Sequence, residues 1–547
     1  METNSGFFSS GRRAVVVGVL AALILLFTAG SFGLTWDEPA YISASTSYAG
    51  WFRRLIVGPH GVLNRSVIES HWQITSEAPP FDMEISGLVW LAAHNVVDDL
   101  LAHRLANILL AGLAVGLLYH MVRDELGEVA GLGAAVLLLL MPRFFLHAHL
   151  AALDVPVACM TVVVTYVFWR TKESARVRYT VLLGIVSGLA FATKIHGLIV
   201  LPTLLLWTLI FRRKFYLIVR ILVAALLGGA VFVGVWPWLY YDTVERVTAY
   251  IQFFTVSHVP IAQYFLHKTG TPPAWQFPFV MIWAVVPLGT TILYLLGAAR
   301  TFFRRRDRAF CSLLILSALA PLAVLAAGGS MMFDNERLFM PAFPFLAALA
   351  GAGFSWLVLL LRTAFQRIRS PLPVIVLSGA AAVLVLAPTV YGMARVYPHL
   401  LSYYSESVGG LPGANAMGLE TTYWSESYRE AIDFVNEQAQ PGDSVWVEPG
   451  TYDILVYYQL HGVLRDDVTI AVTYDSNPQT IFGTGVPFPV VAVPYTQASF
   501  VIVQYRESFL VDAQGKPSEI LTWMSGRTPA FRVEREGIPI LDVYRNP

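Results

Sequence analysis

The sequence predicts an all-α, multi-pass membrane protein with a small C-terminal α/β unit. Three observations lead there. Hydrophobic residues make up 56% of the 547 residues and charged residues only 14%, where a soluble protein would carry about a quarter charged. Apolar runs of bilayer-spanning length follow one another as far as residue 391. Beyond that point helix and strand signals interleave, as in a mixed α/β layer. Net charge is zero, so there is no basic footprint for nucleic acid. Cys159 and Cys311 both lie inside apolar runs and read as inert core residues.

The first run, Ala14 to Leu34, has no small-residue cleavage site before the acids that follow, so it reads as a span and not as a signal peptide. Further runs lie near 103–122, 128–146, 155–169, 179–193, 197–211, 217–238, 277–298, 309–327, 338–361 and 372–391. Together these are about eleven transmembrane helices, and an odd number puts the termini on opposite sides. One set of loops, from Arg12-Arg13 to Arg362–Arg369, carries 19 of the 37 Lys and Arg residues. The opposite set carries nine over far more residues, and the tail after 391 the other nine. Basic loops stay inside. The N-terminus is therefore expected to be cytoplasmic and the C-terminal unit extracytoplasmic.

This divides the chain into a membrane domain, 1–391, with a first outward loop at 35–102, and an extracytoplasmic α/β domain, 392–547. Reading 83–97 as a further span would put the Arg304-Arg305-Arg306 cluster outside, so it reads as a helix on the outer face. The first loop becomes a set of interfacial helices, with Tyr41, Tyr48, Trp51 and Phe52 near one face. In the tail a helix is expected at 425–439 and strands at 444–447, 468–473, 500–503 and 538–544. The tail shows no Gly-rich phosphate loop and no ordered nucleophile triad.

Ionisable residues gather at the outward ends of the spans. Asp37 and Glu38 stand where the first span stops; in the plain reading they and Pro39 simply start a surface helix. Asp154, two residues before Pro156, is equally a helix cap. Lys194 and His196 flank a span boundary, where a snorkelling Lys with an interface His is the bland account. Arg337 stands beside Asp334 and Glu336, which are its simplest partners. Trp236 to Tyr241 reads as an aromatic belt. His147 and His149 alternate but lack a third ligand at a defined spacing, so no metal site is assigned; a divalent metal is left open.

The pattern resembles the C-type polyprenyl-phosphate-sugar glycosyltransferases, and most nearly glycosyltransferase family 39, which holds the protein O-mannosyltransferases and their aminoarabinose-transferase relative. Trp36-Asp37-Glu38-Pro39, Ala78-Pro79-Pro80, Leu153-Asp154-Val155-Pro156 and Thr193-Lys194-Ile195-His196-Gly197 carry it. So do Arg337 ahead of Pro341 and Pro344, and the stretch from Tyr397 through Gly409-Gly410 to Glu420 and Tyr423-Trp424. The resemblance covers roughly residues 10–425. The chain departs from it at Ala78, preceded by Glu77, where the family often has a Lys or His before the Pro pair.

The resemblance implies a C-type glycosyltransferase fold and transfer of a sugar from a polyprenyl-phosphate donor to an acceptor hydroxyl on a protein, lipid or glycan. A hydroxyl is a poor nucleophile and needs a general base. Asp37 takes that role, and Glu38 orients the acceptor or a partner residue. The leaving phosphate is already ionised and needs cations. Asp154, Lys194, His196, Arg337 and Arg104 are the implied substrate-binding residues; no cofactor is implied. The expected partners are the lipid-linked donor, membrane lipids and an acceptor. The competing class is a transporter or lipid flippase, which would place ionisable groups within the spans, often with repeats. Here the span centres are almost free of charge and there is no internal repeat.

Overall fold

The structure is a computed structural model describing residues 5–75, 78–254, 261–271, 273–327, 332–367, 374–473 and 490–546. Glu77, Arg369 and the first two residues of the last predicted span lie outside these. Helix α1 is Ser5–Thr28, and the first outward loop folds as α2 (Glu38–Val57), α3 (Arg65–Trp72) and α4 (Phe81–Ala93). The bundle continues through α5 (Asp99–Leu126), α6 (Glu128–Leu139), α7 (Pro142–His147), α8 (Asp154–Thr171), α9 (Val177–Phe191), α10 (Val200–Phe211) and α11 (Phe215–Val235). Then come α12 (Thr243–Gln252), the hairpin β1–β2 (Gln263–Phe265, Lys268–Gly270), α13 (Phe277–Val285), α14 (Leu288–Phe303), α15 (Arg308–Ala326), α16 (Phe343–Arg367) and α17 (Val374–Val396). Among the described residues six helices are long and apolar enough to cross a membrane, seven if one bent pair counts as a single span.

That bent pair corrects the sequence reading. The single span expected at 277–298 is two helices, α13 and α14, at 118° to each other. The break falls at Val286-Pro287, where Val286 is extended (φ −85°, ψ 128°). A residue before proline is pushed out of the helical region, and proline has no N–H to continue the ladder. The apolar stretch at 83–97 gives α4, whose 13 residues are too few to span a bilayer. The aromatic face of α2 is also corrected. It does not face outward: Tyr48 stacks on Trp72 of α3 at 4.1 Å and Trp51 meets the same ring edge-on at 5.4 Å. Trp72 supplies an internal partner that the α2 periodicity alone cannot reveal.

The tail carries α18 (Gly410–Ala416), α19 (Tyr428–Gln438), α20 (Tyr452–Leu460) and strands β3 (Ser444–Glu448), β4 (Thr469–Val472), β5 (Val490–Ala492), β6 (Phe500–Gln504), β7 (Phe531–Arg535) and β8 (Ile538–Arg545). They form one six-stranded sheet in the order β5-β4-β3-β6-β8-β7. The first four strands run parallel and β8 and β7 antiparallel. Glu536 and Gly537, both in the left-handed region, make the β7–β8 turn. Val445, Val447, Phe500 and Ile502 form its core together with Leu34, Ile42 and Ala151 of the membrane part. The backbone N–H of Leu34 donates to the Tyr458 hydroxyl at 2.6 Å. The sheet is thus built onto the acidic turn after the first span.

Helices α14 and α16 touch backbone to backbone. A Cβ on Gly297 would run into the Leu349 carbonyl, and one on Gly353 into the Leu293 carbonyl. Small residues allow such approach inside a membrane bundle. Gly353→Ala is therefore expected to lower stability by about 1–3 kcal/mol, the usual cost of overpacking, read as a drop in melting temperature in detergent. Gly379→Ala, where a Cβ meets nothing within 4 Å, is the control that should melt like the parent.

Candidate active site

The acidic turn starts a helix, as its plain reading holds, but Asp37 does not cap it. Asp37 precedes α2 with no side-chain cap bond, and Pro39 supplies the constraint. Its Oδ2 instead accepts from Nη1 of Arg337 at 2.5 Å, 300 residues away, and its side chain stays 23% exposed. Asp154 likewise makes no cap bond at the start of α8. Its Oδ1 accepts from Lys194 Nζ at 2.5 Å, and its Oδ2 lies 3.9 Å from Arg337. Lys194 is buried on this carboxylate and does not snorkel. Arg337 pairs with Asp334 at 3.0 Å, one of its two simplest partners. The other, Glu336, turns away to Arg143 at 2.7 Å.

These groups meet at a cavity of about 1050 Å³ between helix ends of the bundle and the C-terminal unit. Its wall includes Trp36, Asp37, Tyr41, Ala78, Lys194, His196, Asp334, Arg337, Asp453 and Arg506. The remaining lining is largely aliphatic and aromatic, Ile195, Leu198, Phe253 and Phe254 among it. A mostly apolar cavity with a few convergent polar groups is the usual form of a small-molecule site. Asp154 sits behind the wall as the counter-ion of Lys194. Trp424 stacks on Arg337 with the guanidinium carbon 4.6 Å from the ring centroid. Its backbone is left-handed (φ 67°), the strained conformation that gathers at functional sites.

Two more predicted site residues, Glu38 and Arg104, do not line the cavity; each is bound to the other. Arg104 Nε and Nη2 donate to the two Glu38 oxygens at 2.7 Å each. Nη1 and Nη2 also donate to the carbonyls of Phe32 and Gly33. Glu38 further accepts from the Thr35 N–H and hydroxyl and from the Ala151 N–H. A buried pair this fully satisfied is a clamp on the turn that carries Asp37. His147 and His149 point apart: Nε2 of His147 lies 3.0 Å from the Tyr423 hydroxyl, and Nε2 of His149 lies 2.8 Å from Thr28 Oγ1. Among the described residues no three His, Cys, Asp or Glu side chains gather in a way that could hold a metal. Cys159 and Cys311 are buried free thiols.

Residues 88–241 match the family model described as dolichyl-phosphate-mannose-protein mannosyltransferase. Over the full length the chain is similar to the crystal structure of ArnT from Cupriavidus metallidurans in the apo state, at 17% identity and TM-score 0.50, covering 97% of each chain. The structure of the same protein bound to undecaprenyl phosphate matches at 18% identity and TM-score 0.50, covering 99% of this chain and 98% of that one. The Archaeoglobus fulgidus oligosaccharyltransferase in the apo form matches at 12% identity and TM-score 0.48, over 91% of this chain and 69% of that one. No curated protein matches. The resemblance to glycosyltransferase family 39 holds. The fold is that of ArnT, and the chain is a multi-pass membrane protein. The segment matched by the family 39 model holds Arg104, Asp154, Lys194 and His196, while Asp37, Arg337 and the whole C-terminal wall lie outside it.

That wall is what the sequence did not reveal. Asp453, in the first turn of α20, and Arg506, just after β6, reach the cavity across the seam. No local motif marks either; only the docking of the sheet on Leu34 brings them there. Burial pushes the Asp453 carboxyl up to about 7, and the nearby Asp37 adds to the shift. Its native pKa is thus above the unfolded value of about 3.9. The stability it contributes is fully present below that value and is lost as pH rises through about 7. Asp453→Asn should therefore gain on the parent in melting temperature from pH 4 to pH 8; a difference that does not change with pH contradicts the shift. Glu38→Ala should cost about 3–5 kcal/mol, the range for leaving a buried charge unpaired, seen as loss of folded protein in detergent.

Proposed function

We propose that the chain transfers a hexosyl or pentosyl group from a polyprenyl-phosphate donor to an acceptor hydroxyl on the outer face of the membrane, with Asp37 as general base. The observation that carries this is the meeting of Asp37, Lys194 and Arg337 on one largely apolar-walled cavity. That one ArnT structure of this fold holds undecaprenyl phosphate supports a lipid-phosphate donor. The apolar side of the wall suits a polyprenyl chain, and the basic side suits its phosphate.

In this reading the acceptor oxygen attacks the anomeric carbon. Asp37 takes the hydroxyl proton as the new C–O bond forms. The bond from the anomeric carbon to the phosphate oxygen breaks, and its electron pair leaves with the lipid phosphate. Lys194 and Arg337 hold the charge that develops there. Asp154 fixes Lys194, and His196 lies on the same wall. Arg337 also steers the Asp37 carboxylate, which keeps part of its surface open to the cavity. The eleven-span arrangement, in which the bent pair α13–α14 counts as one crossing, with a cytoplasmic N-terminus and an extracytoplasmic C-terminal unit, belongs to this proposal, because it puts the cavity on the side away from the basic loops.

The direct test incubates the purified protein with several labelled polyprenyl-phosphate sugars and follows their consumption. Asp37→Asn keeps the shape but takes no proton, and should lose at least about a hundredfold in turnover, as positioned bases contribute, while donor binding survives. Near-normal turnover would move the base elsewhere, with Asp154 next in line. Lys194→Ala and Arg337→Ala should each weaken donor use roughly tenfold or more, as loss of a charge-assisted contact does. For the topology, Gln440→Cys should be labelled from outside intact cells; labelling only after permeabilisation reverses the assignment.

A further inference from the structure

The C-terminal unit contributes more than a lid to the cavity. Two guanidiniums converge there on one carboxylate. Asp334 Oδ1 accepts from Arg506 Nη2 at 2.5 Å, and its Oδ2 lies 3.0 Å from Arg337 Nη2. All three residues line the cavity. Arg506 is held in place from several directions. Its guanidinium carbon lies 4.6 Å from the Phe509 ring centroid and 5.4 Å from that of Trp36, the residue just before Asp37. Its Nε donates to Ser508 Oγ at 3.3 Å and stands 3.7 Å from Glu420. Arg337 is 7% exposed, and its Nε finds no hydrogen-bond partner. Arg337 therefore has one N–H that the protein itself does not use.

Two planar, preorganised guanidiniums a single carboxylate apart form a bidentate anion site. Elsewhere on the wall Ala78 and Pro79 carry no charge, and Lys194 stands paired with Asp154 at 2.5 Å. Asp334 itself sits in a left-handed backbone conformation, as does Asn335, each at φ 53°. It is the internal anion that the two arginines share, and an incoming phosphate competes with it.

We propose that Arg506, carried by the C-terminal unit, is a direct ligand of the lipid phosphate together with Arg337, and that Asp334 is the competing internal anion which lowers the affinity of this site. The inference rests on the donor reading above. It makes the soluble unit part of donor recognition, and it predicts an effect of opposite sign for each member of one ion pair.

The experiment measures binding of undecaprenyl phosphate and of uncharged undecaprenol to the purified full-length protein in detergent, by quenching of tryptophan fluorescence. The parent should prefer the phosphate. Arg506→Ala should bind undecaprenyl phosphate about tenfold more weakly, the scale of one charge-assisted contact, with undecaprenol binding unchanged. Arg506→Lys keeps the charge but not the fork and should fall between. Asp334→Asn keeps the shape and tolerates the left-handed backbone, and it should bind the phosphate more tightly than the parent. If the parent does not discriminate between phosphate and alcohol, the donor reading itself fails. If the parent discriminates and Arg506→Ala does so equally well, only the Arg506 assignment is overturned. If Asp334→Asn binds the phosphate more weakly than the parent, the pair serves only to dock the C-terminal unit and the inference is wrong.

Discussion

The cavity depends on one buried cation. Arg337 lies within ion-pair reach of Asp37, Asp154 and Asp334, which come from three separate stretches of the chain. A guanidinium in such a place would be prohibitively costly alone, and so would the carboxylates. Together they are tolerable, because each removes the other's desolvation cost. Removing the arginine takes the cation from Asp37, while Asp154 keeps Lys194 and Asp334 keeps Arg506. Trp424 covers the guanidinium face and keeps the local dielectric low. The same feature that makes the network expensive thus makes it strong.

A second buried pair serves the first. Glu38 and Arg104 stand next to the cavity without lining it, tied to the backbone at Phe32, Gly33, Thr35 and Ala151. The adjacent acids of the turn have divided their labour. One faces the cavity and the other holds the loop from which the first projects. Neighbouring residues in a sequence invite a shared role. Here the one-residue step along the start of α2 turns their side chains to different sides, and burial decides which of them stays available for chemistry.

The contribution of the sequence was uneven for physical reasons. Six of the eleven expected spans are helices long and apolar enough to cross a membrane, because length and hydropathy suffice for those, and the break at Val286-Pro287 was missed because hydropathy ignores backbone geometry. Strands β3, β4, β6 and β8 were legible as apolar or alternating runs. Strand β7, Phe-Arg-Val-Glu-Arg, was not, since its outward residues are charged and only its β8 partner makes it a strand. In the candidate site Asp37, Lys194, His196 and Arg337 were legible because ionisable residues at span ends stand out against an apolar background. Arg506 and Asp453 were not, because in a soluble tail charge is ordinary. Their place follows from tertiary docking alone.

That docking also has a consequence in time. Leu34 and Ile42 belong to the core of the C-terminal sheet, and the Leu34 N–H is bonded to a tyrosine 424 residues downstream. A ribosome adding about 5–20 residues per second takes roughly 20 to 80 s to cover that distance. Throughout that interval the first membrane segment is already made, and the turn behind it still lacks its final support. The nascent chain therefore cannot assemble the cavity early. Its wall is complete only once the strand carrying Ile502 and the arginine at 506 have emerged.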